Sequence, residues 1–367
     1  MAEKAIRLGG ESTADAIVSA VDSLYPEHTF EDKEFALKHN DDEISVDTNF
    51  AAQNFWKEAL IRFFNKKSAV LGLILIVVIV LLAVFGPGMN SYTYSGQDLS
   101  QKNFAPRVPG IERLGILDGS EKMSTTTGSK SVNAYVEKGK DDVYYWFGSD
   151  LYGRDIWTRT WEGARVSLII AVAAAVIDMV IGMSYGLISG YFGGRVDMVM
   201  QRFLEVANGI PRLVIVTLLL LVLQPGMVTI IFALMLTEWV GMSRIARAEM
   251  LKLKDQEFVL ASRTLGAGSF FIIFKEVLPN IIGPIITQVM FSIPTAIFTE
   301  AFLSFVGLGI PVPQCSLGSL ISELYNSFTT HPYQIIPPIV VMSLLMLSFN
   351  LVADGLREAL DPKMKSM

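Results

Sequence analysis

The sequence predicts an all-α membrane protein with six transmembrane helices, both termini cytoplasmic, a cytoplasmic coupling helix and a small irregular or β insertion outside. Three observations predict it. Uncharged apolar runs of spanning length recur along the 367 residues. Charged side chains make up 18% of the chain, against about 25% in soluble domains. Basic residues collect in alternate connections, as the positive-inside rule requires of cytoplasmic ones.

Residues 1–48 hold twelve acidic and four basic side chains, so the chain's negative charge lies in an acidic cytoplasmic tail and the remainder is slightly basic. Short helices fit around 12–24 and 32–39. No basic start followed by an apolar core opens the chain, so no cleavable signal peptide is expected. Residues 49–67 form an amphipathic helix: Phe55, Trp56, Ala59, Leu60, Phe63 and Phe64 share a face, with Lys57, Glu58 and Arg62 opposite. That pattern suits the inner headgroup layer, with membrane lipids as its partner.

The first crossing, 68–86, contains AVLGLILIVVIVLLAVFG; Lys57, Arg62, Lys66 and Lys67 precede it and place its start inside. Residues 87–160 form an extracellular insertion rich in Gly, Pro, Ser and Thr. Within it KSVNAYVEKGKDDVYYWFG alternates in part and turns at Gly139, predicting two or three strands. The core, 161–356, supplies five more crossings: 166–190, Leu213 onward to Gln224-Pro225-Gly226, 228–242, 281–298 and 335–353. Arg195, Arg202 and Arg212, then Arg244, Arg247, Lys252, Lys254, Arg263 and Lys275, then Arg357, Lys363 and Lys365 in the tail 357–367, all fall inside.

Between the fourth and fifth crossings, residues 248–280 interrupt the apolar pattern. A helix is expected over 255–265, with Phe258, Ala261 and Leu265 on one face and Ser262 beside them. Gly266 supplies a left-handed stop. Ser269 caps a second short helix that ends where Pro279 begins the next crossing. Small residues between bulky ones suit docking to a partner; a loop capping the protein's own bundle is the alternative.

Ionisable groups within membrane runs mark pathways or buried contacts. Asp178 lies mid-run and serves either as a pore lining or as a buried hydrogen-bonding group. Glu238, near the inner end of its run and close to Arg244, fits a structural pair. Glu300 precedes AFLSFVGLG and either caps a glycine turn or faces the outer mouth, where it would meet a substrate ammonium. Pro284, Pro294, Thr295 and Thr299 make the fifth crossing the expected pore wall.

Other chemistry is excluded. Gly128-Ser129-Lys130-Ser131 lacks the Gly-Lys order and spacing of a nucleotide loop, so any ATP is bound by another chain. The three histidines, His28, His39 and His331, form no metal-ligand set. No catalytic residue, metal, bound cofactor or nucleic-acid partner is expected. Cys315 is the sole cysteine, so no intrachain disulfide forms. An ion- or proton-coupled secondary carrier is the rival reading, but no internal repeat supports it.

LASRTLG followed by Leu278-Pro279 resembles the Glu-Ala-Ala loop of ABC importer permeases. Leu260, Ala261 and Ser262 occupy the triplet, with Leu for Glu and Ser for Ala; Gly266 fits the glycine. FGSDLYGRDIWTRTWEGARVSL, GYFGGRVDMVMQRFLEVANGIP, EAFLSFVGLGIPVP and FNLVADGLREALDP are similar to ordered motifs of dipeptide/oligopeptide permease C subunits. The likeness covers roughly residues 55–86 and 145–362, and the insertion resembles those of Gram-positive systems. It implies a peptide-import subunit of a bacterial cell membrane. Its partners would be a homologous second permease, two ABC ATPase subunits holding ATP and Mg, and a lipid-anchored extracellular peptide-binding protein. It also implies that Glu257, Phe258, Ala261, Ser262, Leu265 and Gly266 couple the chain to an ATPase.

Overall fold

The computed structural model describes residues 19, 20, 23, 55–125 and 128–360. The chain divides into two units, residues 1–54 and 55–367. In the first, the described residues are helical and fall within the stretch 12–24. The expected helix at 32–39 lies outside the described residues, as do residues 361–367 of the C-terminal tail.

In the second unit, α1 (Phe55–Asn65) buries Ala59 and Phe63 and exposes Trp56, Leu60, Ile61 and Phe64. Lys66, in extended conformation, separates it from the first crossing, α2 (Lys67–Phe85). In the insertion, β1 (Ser120–Thr125) and β2 (Gly128–Asn133) pair antiparallel with Ser120 opposite Asn133. The hairpin therefore lies upstream of the turn expected at Gly139. The Asn133 side chain ends β2 by accepting the Tyr135 N–H at 3.0 Å. Tyr135 then turns into a buried cluster with Phe104 and Tyr145, its hydroxyl donating to the Ala105 carbonyl at 2.8 Å.

Helix α3 (Ile156–Ile177) continues through a π-turn (Asp178–Gly182) into α4 (Met183–Phe192). It begins upstream of the apolar run because Asp155 caps it, accepting from the Thr158 N–H at 2.8 Å and hydroxyl at 2.6 Å. Next come α5 (Gly194–Gly209) and α6 (Arg212–Val222), bent by 78°. The 11 residues of α6 reach only about 16 Å, half of the roughly 30 Å hydrocarbon layer. The third crossing expected from Leu213 alone therefore needs α5 as well.

Helices α7 (Met227–Thr237) and α8 (Trp239–Leu253) make the fourth crossing, longer than its apolar run. After α9 (Glu257–Thr264), one turn (Ser269–Phe271), a π-turn (Ile272–Val277) and α10 (Leu278–Leu303) run on without a break. The short second helix expected to end at Pro279 is thus the foot of the fifth crossing. Its N-cap is Gly268 rather than Ser269, and no side chain caps it. A π-turn directly before Pro279 shifts the hydrogen-bond ladder where proline has no donor, and the helix continues. Helix α11 (Leu317–Tyr325), opened by a Ser316–Ser319 capping box, leads to the last crossing, α12 (Ile336–Leu360).

The ends of the bundle fix its parity. Lys66 Nζ, before the first crossing, lies 2.5 Å from Glu358 Oε2, near the end of the last. The number of crossings is therefore even. Among the described residues five helices are long and apolar enough to span, and the bent α5–α6 pair, taken as one span, makes the sixth that an even number requires. At the opposite face, Trp157 Nε1 donates to the Gly86 carbonyl at 2.9 Å, and Gln334 Nε2 donates to Asn103 Oδ1 and the Ser149 carbonyl at 3.0 Å. That gathers the insertion, the start of α3 and the α11 connection on the side that charge assigns as outer.

The core has an outer cluster around Trp161, Ile170, Ile230, Ile297 and Leu345, and an inner one around Leu187, Met242, Met250, Ile273 and Ile281. Gly182, Gly186 and Gly190 let α8 lie directly on the second crossing. A Cβ at 186 would stand 2.1 Å from the Ser243 carbonyl oxygen, the close approach that small residues permit between membrane helices.

Candidate functional site

The loop at 257–268 is built as a rigid block. Glu257 in the first turn of α9 and Arg263 in the last complement the helix dipole. The helix stops as the sequence predicts: Gly266 has φ +84, its N–H donates to the Arg263 carbonyl, and the Ala267 N–H donates to the Ser262 carbonyl, each at 3.0 Å. These two bonds form the glycine-dependent helix stop that satisfies otherwise orphaned carbonyls.

Helix α9 has two working faces. Val259 is fully buried among Leu187, Met242, Ala246, Met250, Ile272 and Ile273. One turn on, the Arg263 guanidinium lies over the Tyr191 ring at 5.4 Å. These residues tie α9 to the second, fourth and fifth crossings. On the other face Phe258, Ala261 and Leu265 are exposed and Ser262 is half-buried. Leu265 is 88% exposed, and Phe270 and Phe271 extend the apolar surface. Sequence reasoning found the outward face but missed its anchor, because eight residues are too few for periodicity to separate Val259 from Phe258.

The candidate pathway residues do not form one site. Thr295 is exposed on α10, its hydroxyl donating to the Phe291 carbonyl at 3.0 Å. Thr299, one turn on, is partly buried and donates to the Thr295 carbonyl at 2.8 Å. Phe298, Phe302 and Phe305 continue this exposed face toward the outer end. Asp178 sits in the π-turn of the second crossing, almost fully buried, with Ser292 and Glu238 facing it; its Oδ1 has no hydrogen-bond partner among the described residues.

Glu300 is fully buried rather than at an outer mouth. Its Oε1 accepts from Ser304 at 2.7 Å and Ser316 at 2.5 Å, and its Oε2 from Ser167 at 3.1 Å. One carboxylate thus pins α3, the end of α10 and the N-terminus of α11. Of the two roles read from the sequence, the geometry is that of the cap.

A second buried polar node had no sequence signal, since its members lie far apart along the chain. Asp150 Oδ2 accepts from Arg154 Nε at 2.7 Å and Arg159 Nη1 at 2.8 Å. Glu323 accepts from Arg159 Nη2 at 2.7 Å and also from Arg154. Burial pushes the Glu323 carboxyl up, but the arginines beside it outweigh this and hold it below its ordinary value. The node locks the insertion to α11.

An even bundle of spanning helices, with an anchored inner loop whose apolar face is exposed among the described residues, defines a multi-pass membrane permease. Residues 182–366 match the family described as binding-protein-dependent transport system inner membrane component. Residues 54–106 match the N-terminal TM domain of oligopeptide transport permease C. The chain is 42% identical over 312 residues to the oligopeptide transport system permease protein OppC of Bacillus subtilis, covering 85% of this chain and 91% of that one. It is 39% identical to the dipeptide transport system permease protein DppC of the same organism, covering 85% and 87%. It is 33% identical to OppC of Escherichia coli K12, covering 85% and 92%. Among solved structures, a chain of the inward-facing MetNI methionine ABC transporter is similar over 55% of this chain and 96% of its own, at 16% identity and a TM-score of 0.47. The chain belongs to the binding-protein-dependent transport permease family, and is the membrane subunit of an ABC importer rather than an enzyme. That membership displaces the ion-coupled carrier.

Proposed function

We propose that this chain is one of two homologous permease subunits of an ATP-driven importer of oligopeptides or dipeptides in the cell membrane of a Gram-positive bacterium. The observation that carries this reading is the 42% identity to a peptide permease across 85% of the chain. Two ABC ATPase subunits hold ATP and Mg, and a lipid-anchored extracellular binding protein delivers the peptide. Glu257, Phe258, Ala261, Ser262, Leu265 and Gly266 seat in a cleft of one ATPase. Closure of the ATPase pair moves α9, and Val259 and Arg263 pass the movement to the crossings they touch. The bundle then alternates between outward and inward openings, a two-state rearrangement driven by binding. Thr295 and Thr299 line the route, while Asp178 and Glu300 shape it from behind.

The test is reconstitution into proteoliposomes with and without the ATPase subunits. Peptide accumulates only with the complete complex and ATP. Accumulation by this chain alone, or by a complex indifferent to ATP, refutes the reading.

A further inference from the structure

The third crossing is interrupted, and its inner half carries charge on a surface that the other described residues leave open. Helix α5 climbs along the second crossing from the inner side. Near its start, Asp197 accepts from Ser189 at 2.5 Å and from Arg247 Nε and Nη2, both at 2.6 Å. One turn higher, the Tyr185 hydroxyl donates to the Met200 carbonyl at 2.8 Å. Higher still, Leu204 is buried against Ile181, Tyr185, Trp239 and Val240. Helix α6 instead packs on the outer half, where Val216 meets Ala233 and Leu303. The break at Ile210-Pro211 therefore falls between the two halves of the bundle, about two helical turns past Leu204.

Around its axis α5 presents three faces. Asp197 and Leu204 mark the one packed on the bundle. Val196, Val199, Phe203, Val206 and Ile210 recur at helical spacing and are exposed, an apolar stripe. Between these lie Arg195, Arg202 and Glu205. The Arg202 side chain is 75% and that of Glu205 57% exposed, with Nη1 2.6 Å from Oε2. Hydrocarbon does not accept exposed ions, and ionisable groups in a crossing face a protein interior or water. The apolar stripe supplies the surface for lipid or for a second permease subunit; the charged stripe needs a polar surrounding, which in an importer the water-filled route supplies.

We propose that Arg202 and Glu205 line the inner half of the translocation route and form a contact site for charged groups of the transported peptide. This rests on the peptide-import reading above. The guanidinium takes a carboxylate and the Glu205 carboxylate takes an ammonium. An exposed pair of this kind holds together only weakly, so it opens without backbone movement. Neighbouring turns of one helix are too close to grip both ends of an extended oligopeptide at once, so the pair meets one charged group at a time. Its balanced charge gives it no net preference among peptides of different charge, which suits a broad-range route.

Uptake by the complete importer in proteoliposomes, measured with peptides of equal length and differing net charge, tests the assignment. Arg202→Gln leaves the carboxylate alone and shifts preference toward cationic peptides by about fivefold; Glu205→Gln shifts it toward anionic ones by about the same factor. The double variant restores the wild-type ranking. Because Cys315 is the chain's single cysteine and is buried, Arg202→Cys and Glu205→Cys can be probed with a membrane-impermeant maleimide. Both react, and saturating peptide slows them, whereas Val199→Cys on the apolar stripe stays unlabelled. Intact peptide uptake with unshifted charge preference, or with labelling indifferent to peptide, overturns this assignment alone. A wild-type complex that takes up no peptide overturns the import reading and this assignment with it.

Discussion

Replacing Leu265 with aspartate separates docking from folding. The side chain follows the last residue of α9, is 88% exposed, and contributes almost nothing to the chain's own core. Substitution of such a residue changes folding stability by roughly 0.5 kcal/mol or less. Nearly all of its surface remains for a partner to bury, and full burial of a leucine stabilises a complex by about 2–3 kcal/mol. Losing it weakens ATPase binding about 30- to 150-fold, and desolvating the new carboxylate adds to the loss. Val259→Ala is the counterpart: it removes buried methyl groups from the inner cluster and lowers stability by about 1–2 kcal/mol while leaving the outward face chemically intact. The assay is co-purification of the ATPase subunits, together with thermal denaturation of the isolated permease. Leu265→Asp should abolish the first and leave the second unmoved. Normal ATPase retention and uptake in Leu265→Asp would show that this face is not the docking surface.

Three further outcomes follow from the geometry. Gly266→Val forces a β-branched residue to φ +84, at a cost of about 1–3 kcal/mol; ATPase turnover should persist while peptide uptake falls, as a coupling-ratio assay reports. Glu300→Ala strands three buried serine hydroxyls and should lower stability by about 3 kcal/mol, whereas Glu300→Gln keeps an acceptor, loses less and leaves peptide selectivity unchanged in competition uptake. Arg159→Met breaks the outer ion-pair node at a cost of about 3–5 kcal/mol. Because Glu323 is held below its ordinary value, its contribution is complete above the ordinary glutamate range and disappears as pH falls through the lowered one. Melting of the wild type should be insensitive to the group at neutral pH and decline in acid, and Arg159→Met should make that decline smaller, with Arg154 still paired to Glu323.

Most of the architecture is legible along the chain because a bilayer demands uninterrupted apolar length, which a window of residues measures directly. The glycine stop at 266 is equally local. What escaped depends on partners distant in sequence. The second crossing begins among polar residues because Asp155 caps it and because Asp150 and Glu323 neutralise Arg159 inside the protein. The third crossing hides half its length in α5, whose Arg202 and Glu205 interrupt any hydropathy window. The hairpin lies upstream of Gly139 because Tyr135 is taken by the buried aromatic cluster. Glu300 reads equally well as a pathway group or a cap until Ser167 and Ser316 are seen to converge on it.

The pairing of the first and last crossings bears on how the protein is made. A Cβ at Gly355 would come 2.3 Å from Ala69 Cβ, and one at Gly72 2.8 Å from the Ser348 carbonyl oxygen, so α2 and α12 close on each other through a seam with no room for another atom. During synthesis the groove on α2 therefore stays unfilled until α12 has been made. A chain that stopped before Gly355 would leave that face of α2 without the surface it fits.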